Sequence, residues 1–390
     1  MQSTEDSNKK YERKKFGRWF TITLALRLYS TKRRLTTTLV ILMGVVGLLL
    51  RFSATNPPLQ LPTAQPWELP SEKLQALVLF KEESHALVEL VLHLYSQGFS
   101  HVRMVDNDSH RPLPTEALQE FKKRGLVTLT HDKGKTIQKR SYAYAFQRMR
   151  LMGGWSMAVD GDEFPRATKV GSLLNWLVLK DEEVCSVAIP FMLFGDSGRS
   201  HQPNSILQGF LKRLDYSRLE KESLVGDSSL QYKTAARVGC TLWPAIHHIA
   251  PFPSQRLRAY SSLNTFPRSP TIKPNKYMEE EFPDAVINHY KTQSAYFYNE
   301  TKVKWCCGSS KNNYRNMSVF YKHQTHWNGK NDTSLARSAL SRFPSLYDNV
   351  QPLGTNDALT NPWPIENVRL ALDELSRHQG LAIIGMYLCR

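Results

Sequence analysis

Trp155-Ser156-Met157-Ala158-Val159-Asp160-Gly161-Asp162-Glu163-Phe164 is the run whose reading decides the fold. An apolar strand ends here on two carboxylates one residue apart. The glycine between them lets the backbone turn tightly at the strand's C-terminal end. In α/β sheets that edge is where ligands bind. Two carboxylates there can hold a hard divalent cation, and the cation can hold a diphosphate. Asp-x-Asp is also common by chance, and a strand end followed by a solvated acidic turn reads the same way, so the flanking pattern has to decide.

Upstream, residues 74–80 (Leu-Gln-Ala-Leu-Val-Leu-Phe) form an apolar run that predicts a strand. Residues 84–96 carry Leu87, Leu90, Val91 and Leu94 at helical spacing. A second strand is expected over 101–105, ending in Asp106-Asn107-Asp108-Ser109, then a helix over 115–123 and a third strand over 126–129. Residues 138–152 predict an amphipathic helix bearing Tyr142, Tyr144, Phe146, Met149 and Leu151, with Lys139, Arg140, Arg148 and Arg150 on a basic face. Residues 156–159 are the strand that delivers Asp160 and Asp162. This βαβαβαβ alternation predicts an α/β fold, a mostly parallel sheet flanked by helices. Parallel strands would bring Asp106 and Asp160 to one edge. A further strand is expected over 187–194, before a polar loop Gly195-Asp196-Ser197-Gly198-Arg199. Beyond residue 200 the pattern weakens.

The chain has 390 residues and 44.8 kDa, room for one large α/β domain with extensions. Its net charge of +16 and pI near 9.6 raise nucleic acid as a partner. The charge is uneven, however. Ten basic against three acidic residues put about +7 of it before Leu35, and no interleaved basic–aromatic motif of an RNA module occurs, so no nucleic-acid partner is expected. The basic tail 1–34 precedes an uncharged apolar run that Arg51 closes, the positive-inside pattern of a signal anchor over 35–51 with a cytosolic N-terminus. A cleaved signal peptide is the rival. Its basic region would be unusually long, and no small-x-small cleavage site follows. The apolar run reaches only about 24 Å as a helix, which suits the thinner membranes of the early secretory pathway. Residues 52–72, with Pro57, Pro58, Pro62, Pro66 and Pro70, read as an extended stem.

Five cysteines, Cys185, Cys240, Cys306, Cys307 and Cys389, show no zinc-site spacing. In an oxidising lumen one or two disulfides are expected, with the connectivity open. Sequons at Asn299, Asn316 and Asn331 suit a lumenal body.

Several motifs follow one another in a distinctive order. They are Phe80-Lys81-Glu82-Glu83, Tyr95-Ser96-Gln97-Gly98-Phe99-Ser100-His101-Val102, Asp106-Asn107-Asp108-Ser109 and the Asp160-Gly161-Asp162-Glu163-Phe164 run. Later come Phe194-Gly195-Asp196-Ser197-Gly198, Gln202-Pro203, Lys233-Thr234, His247 and His248, and Ile287-Asn288-His289-Tyr290-Lys291-Thr292-Gln293-Ser294. This order resembles glycosyltransferase family 92 and its family-2-like relatives, over about residues 73–300. The resemblance implies a GT-A (nucleotide-diphospho-sugar transferase) fold at 73–300, after the N-terminal transmembrane helix; residues 301–390, which it does not cover, are expected as a C-terminal extension packed on that domain. It also implies a metal-dependent, inverting hexosyltransferase of the Golgi or endoplasmic reticulum membrane, single-pass type II with a lumenal catalytic domain. A nucleotide sugar, UDP-galactose by family resemblance, would be the donor and a glycan hydroxyl the acceptor.

By the same resemblance Asp160 and Asp162 would bind Mn2+ or Mg2+, with His289 completing the shell and His247 and His248 competing for that place. An imidazole ligand suits Mn2+ better than Mg2+. Asp106 would meet the nucleoside base or ribose, or else close a turn. Lys81 and Glu83 match the family's Lys-Asn-Glu pattern, with Glu82 replacing the middle residue, and would shape the nucleotide-sugar pocket together with Asp160; a helix N-terminus is the other reading of Glu83. Glu163 either turns to the acceptor side or pairs with Arg148 or Arg150. The family usually has a small polar residue where Asp196 stands. Asp196 and Glu163 are therefore candidates for the catalytic base, Asp196 against the role of turn cap, and Glu279, Glu280 and Glu281 are rivals. A reading of a different class is a non-catalytic carbohydrate- or protein-binding relative of the same fold.

Overall fold

The computed structural model describes residues 73–134, 137–150, 153–181, 184–217, 232–244, 249–251, 256–259, 284–304, 315–355 and 359–388. The basic tail, the expected anchor and the stem lie outside these residues, as do His247, His248, residues 279–281, Cys306, Cys307 and Cys389. Among the described residues no helix is long and apolar enough to cross a membrane.

The strands are β1 (Leu74–Phe80), β2 (Phe99–Asp106), β3 (Val127–His131), β4 (Trp155–Asp160), β5 (Glu163–Ala167), β6 (Val184–Leu193), β7 (Lys212–Arg213), β8 (Tyr232–Arg237), β9 (Thr241–Pro244), β10 (Ile249–Pro251), β11 (Arg256–Ala259), β12 (Ala285–His289) and β13 (Lys330–Asn331). One nine-stranded sheet runs in the order β3-β2-β1-β4-β8-β6-β12-β5, with β11 beside β6. β9 pairs with β10, and β7 with β13, in two small ladders. Within the large sheet β1 to β4, β6, β11 and β12 point one way, while β8 and β5 run against them. The expected parallel half is therefore present. β1, β4 and β6 are buried almost throughout, as befits strands covered on both faces.

Two antiparallel strands were not legible as strands, and one of them makes the sheet curl. On a flat sheet four spacings of about 4.8 Å would separate β4 from β5, roughly 19 Å. Three Cα steps from Asp160 to Glu163 reach at most about 11 Å. Since both strands belong to one sheet, it must bend round until its last strand returns to β4. β5 (Glu-Phe-Pro-Arg-Ala) tolerates Pro165 because it is an edge strand. Its charged members are buried because each is paired: Glu163 with Lys233, and Arg166 with Asn288 and Ser334.

The helix Leu87–Ser96 lies on β2 and β5, and the C-terminal helix Ile365–Leu388 packs on its other side. Val368, Ala371, Leu372 and Leu375 of the latter are buried, which explains why Leu87–Ser96 is buried nearly all round. The same packing encloses Glu89. Its Oε1 accepts from Ser205 Oγ at 2.6 Å and Tyr347 Oη at 2.8 Å, and its Oε2 from Ile206 N at 2.7 Å and Leu207 N at 3.3 Å. One carboxylate thus ties the loop after β6 and the C-terminal segment to the central helix. Cys185 on β6 takes part in a disulfide.

Candidate active site

Parallel pairing sets Asp106 opposite Phe80, and Asp160 opposite Leu79, so the two carboxylates stand at one sheet edge with β1 between them. That is the edge expected to receive a ligand.

The turn from β4 to β5 carries the acidic residues. The backbone N–H of Asp160 donates to Glu163 Oε2 at 2.9 Å, which closes the turn. Gly161 is favoured here by space, not by a left-handed backbone. A Cβ on it would lie 2.2 Å from Glu83 Oε2 and 3.1 Å from Phe80 Cβ. Glu83 thus packs directly under the turn. It sits at the N-cap of a short 3-10 helix, Ser84–Ala86, but its side chain makes no cap bond and reaches into the site instead.

Two lysines neutralise this turn from opposite sides. Lys233 of β8 points in from the sheet, its side chain 1% exposed, 3.1 Å from Asp160 Oδ2 and 2.7 Å from Glu163 Oε2. Tyr142 Oη donates to Asp160 Oδ1 at 2.8 Å. Lys302 comes from the far end of the chain, 2.8 Å from Glu83 Oε1 and 3.1 Å from Asp162 Oδ2. His289 closes β12, and its Nε2 lies 3.5 Å from the other Asp162 oxygen. The antiparallel register sets His289 beside Glu163, which is why the curled sheet brings them together.

Ligand atoms of Asp162, Glu163 and His289 lie within 4.8 Å of one another. Two carboxylates and an imidazole form a donor set suited to Mn2+. The Nδ1 of His289 is buried and has no hydrogen-bond partner among the described residues, so none of them fixes its tautomer. Asp162 and His289 are brought together as the motifs suggested. The third member of the cluster is Glu163, while Asp160 lies against Lys233 and Tyr142.

The charge states follow from the same contacts. Burial pushes Asp162 upward, but Lys302 and then His289 outweigh it and hold its carboxyl well below the usual range. Asp160 is also lowered: burial opposes, and Lys233 prevails. Burial raises Glu163 to about 8 and Glu83 to about 7, against the pull of Lys233 and Lys302 respectively. Burial lowers the pKa of His289, against the opposing pull of Asp162. Burial, with Arg315 nearby, brings Lys291 down to about 8.

The remaining expected residues fall elsewhere around this centre. Asp106 Oδ1 accepts from Ser109 N at 3.1 Å and its Oδ2 lies 3.0 Å from His131 Nδ1, so its carboxylate shapes its own loop. Lys81 is half-buried and adds to the positive field on Asp108. Asp196 Oδ1 accepts from Gly198 N at 2.9 Å and Asn328 Nδ2 at 2.7 Å, the contacts of a turn cap. Arg148 does not pair with Glu163: it turns outward onto the Tyr144 hydroxyl at 2.6 Å, because Tyr142, Phe146 and Met149 occupy the sheet-facing side of its helix. Glu82 has φ 59° and is buried. Its carboxylate accepts from the backbone N–H groups of His110 (2.6 Å) and Arg111 (3.2 Å), and so anchors the loop after β2.

The sequence reading did not single out Lys233 or Lys302 as site residues. Lys233 falls in a motif quoted for the resemblance, and its place inside a strand was the available signal. Lys302 carried none.

No family model and no curated protein matches this chain. Solved structures share part of its course. The mannosyltransferase PcManGT from Pyrobaculum calidifontis, in complex with GDP-Man and Mn2+, aligns at 19% identity and TM-score 0.25, over 32% of this chain and 39% of its own. TarS from S. aureus aligns at 15% identity and TM-score 0.26, over 43% of this chain and 28% of its own. TarS 1–349 in complex with UDP aligns at 14% identity and TM-score 0.27, over 43% of this chain and 47% of its own. This chain therefore spans less than half of each. Likenesses of this extent leave fold and chemistry to be read from the chain's own topology and side chains.

Proposed function

We propose that this chain is a metal-dependent glycosyltransferase of GT-A type that moves a hexose from a nucleotide diphosphate sugar to a glycan hydroxyl. The observation that carries the reading is the convergence of Asp162, Glu163 and His289 within 4.8 Å at the ligand-binding edge of a mostly parallel sheet. A bound Mn2+ or Mg2+ would neutralise the charge that develops on the departing diphosphate. In that scheme Asp162, Glu163 and His289 hold the ion, while Glu83 and Asp106 border the nucleotide. The acceptor oxygen bonds to the anomeric carbon as the carbon–oxygen bond to phosphate breaks, and the hydroxyl proton passes to a base. Inversion and a UDP-galactose donor are what the resemblance supports.

The same reading takes residues 35–51 as the anchor of a type II protein, with residues 73–390 in the Golgi or endoplasmic reticulum lumen. The Cys185 disulfide is compatible with that oxidising compartment. The test is to incubate the full chain with Mn2+, a panel of nucleotide sugars and a panel of glycans, and to look by mass spectrometry for a glycan heavier by one hexose. Absence of any such product, with folded protein, counts against transfer.

One observation favours a binding protein without turnover. Asp196 is spent on a turn and Glu163 is locked to Lys233, so neither carboxylate stands ready as a base. Binding of a nucleotide sugar without release of nucleoside diphosphate would select that reading.

A further inference from the structure

We propose that Lys302 is a resident counter-ion of the site, which an entering divalent cation displaces from Asp162 and which then binds the donor's diphosphate. This assignment rests on the reading of the site given above.

The two lysines of the site differ in their freedom. Lys233 is enclosed by the sheet and reaches Asp160 and Glu163 from within. Lys302 reaches in from the other side, its side chain 13% exposed, on a flexible four-carbon stem. It stands on a π-helical turn, Tyr298–Val303, a rare form that recurs at functional sites. Arg111 pins that turn to the loop after β2. Its Nη1 donates to Thr301 Oγ1 at 2.8 Å and to Glu82 O at 2.8 Å, and its Nη2 to Glu300 O at 3.2 Å. The backbone is therefore held, and movement is left to the side chain.

Asp162 is shared. One oxygen faces His289, and the other faces the Lys302 ammonium. A dication on Asp162 cancels the charge that holds Lys302 and repels the ammonium directly. Among the described residues Lys302 then keeps Glu83 and the face of the Phe297 ring, 5.3 Å from its ammonium. Lys291 and Arg315 both lie within electrostatic reach of Lys302, so this flank of the site is basic while the turn beneath it is acidic. A metal-bound diphosphate brings negative charge to this flank and gives the released ammonium a new partner. Lys302 thereby opposes metal binding in the absence of nucleotide and favours nucleotide binding in its presence. The coupling between metal and diphosphate is reciprocal.

The test measures binding, not turnover, on the full chain. Mn2+ affinity is read from the electron paramagnetic resonance signal of free Mn2+ without nucleotide, and UDP and GDP affinities by calorimetry at saturating Mn2+. Lys302→Met should bind Mn2+ about tenfold more tightly than the unaltered chain, and the better-bound diphosphate about tenfold more weakly. Lys302→Gln, which keeps a hydrogen-bond donor without the charge, should shift both the same way, and it replaces the methionine variant if that one melts early. Unchanged or weaker Mn2+ binding by a variant that melts like the unaltered chain overturns the displacement. Unchanged diphosphate binding overturns the second role. If the unaltered chain binds neither Mn2+ nor either nucleotide, the reading of the whole site falls and this assignment with it; if it binds both and the variants change neither, only the assignment falls.

Discussion

The Lys233 ammonium lies 2.7 Å from the Glu163 carboxylate, and each side chain is only 1% exposed. A buried pair costs desolvation on both sides, so its removal matters most when one partner is left behind. Lys233→Met should destabilise the protein by about 3–5 kcal/mol. Adding Glu163→Gln should recover part of that loss, since a neutral amide no longer strands a charge. Urea melts of both single variants and the double variant check this; a double variant whose loss equals the sum of the singles would show that the pair is not coupled.

Glu89 makes the same point away from the candidate active site. Glu89→Ala leaves Ser205, Tyr347 and the N–H groups of Ile206 and Leu207 without their acceptor. A loss of about 3 kcal/mol is expected, against about 1 kcal/mol for Tyr347→Phe, which removes a single donor. Equal losses in thermal melts would mean that the carboxylate does not organise this junction.

His93 gives a pH signature. Its Nε2 lies 2.8 Å from the Pro165 carbonyl oxygen, and burial lowers its pKa to about 3 from an ordinary 6.5. Between those values the unfolded chain takes up a proton that the folded chain refuses. Stability is therefore lost as pH falls through this window, by about 1.4 kcal/mol per pH unit once below 6.5. Glu83 and Glu163, raised by burial, pull the other way, so the comparison should be with His93→Gln, in which only the histidine's contribution changes. The variant should gain on the unaltered protein between pH 6 and pH 4 in urea melts. A pH-independent difference would contradict a neutral buried imidazole.

Gly161→Ala should disturb the site more than the fold. The new methyl group meets the end of the Glu83 side chain, which can swing away, but only by leaving Lys302. Stability should fall by about 1–3 kcal/mol, with a larger proportional loss of donor binding. Normal donor binding by this variant would remove Glu83 from the site.

The parallel half of the fold was legible because its strands are short segments rich in apolar residues, alternating with helices that keep a regular apolar spacing. The observed β2 and β4 extend one or two residues beyond the expected spans at each end, β3 starts one residue later and ends two later than expected, and the helix Thr115–Lys123 coincides with its expected span. β5, β8 and β12 were obscured by the charges that make the site: Glu163, Arg166, Lys233 and His289 all sit inside strands and are buried. A strand bearing an interior lysine looks like a surface segment until its partners are known. Asp162 and His289 could be paired only through a motif resemblance, since 127 positions separate them in the sequence. Lys302, 140 positions from Asp162, lies beyond the span of that resemblance.

The central claim is that Asp162 holds a metal for the departure of a nucleoside diphosphate. The direct measurement is release of nucleoside diphosphate from a panel of nucleotide sugars by the full chain, with Mn2+ or with EDTA, beside Asp162→Asn. Turnover of a narrow set of donors is expected, needing the metal and falling by about 100-fold or more in the variant. Turnover that survives EDTA, or that Asp162→Asn leaves intact, would contradict the claim.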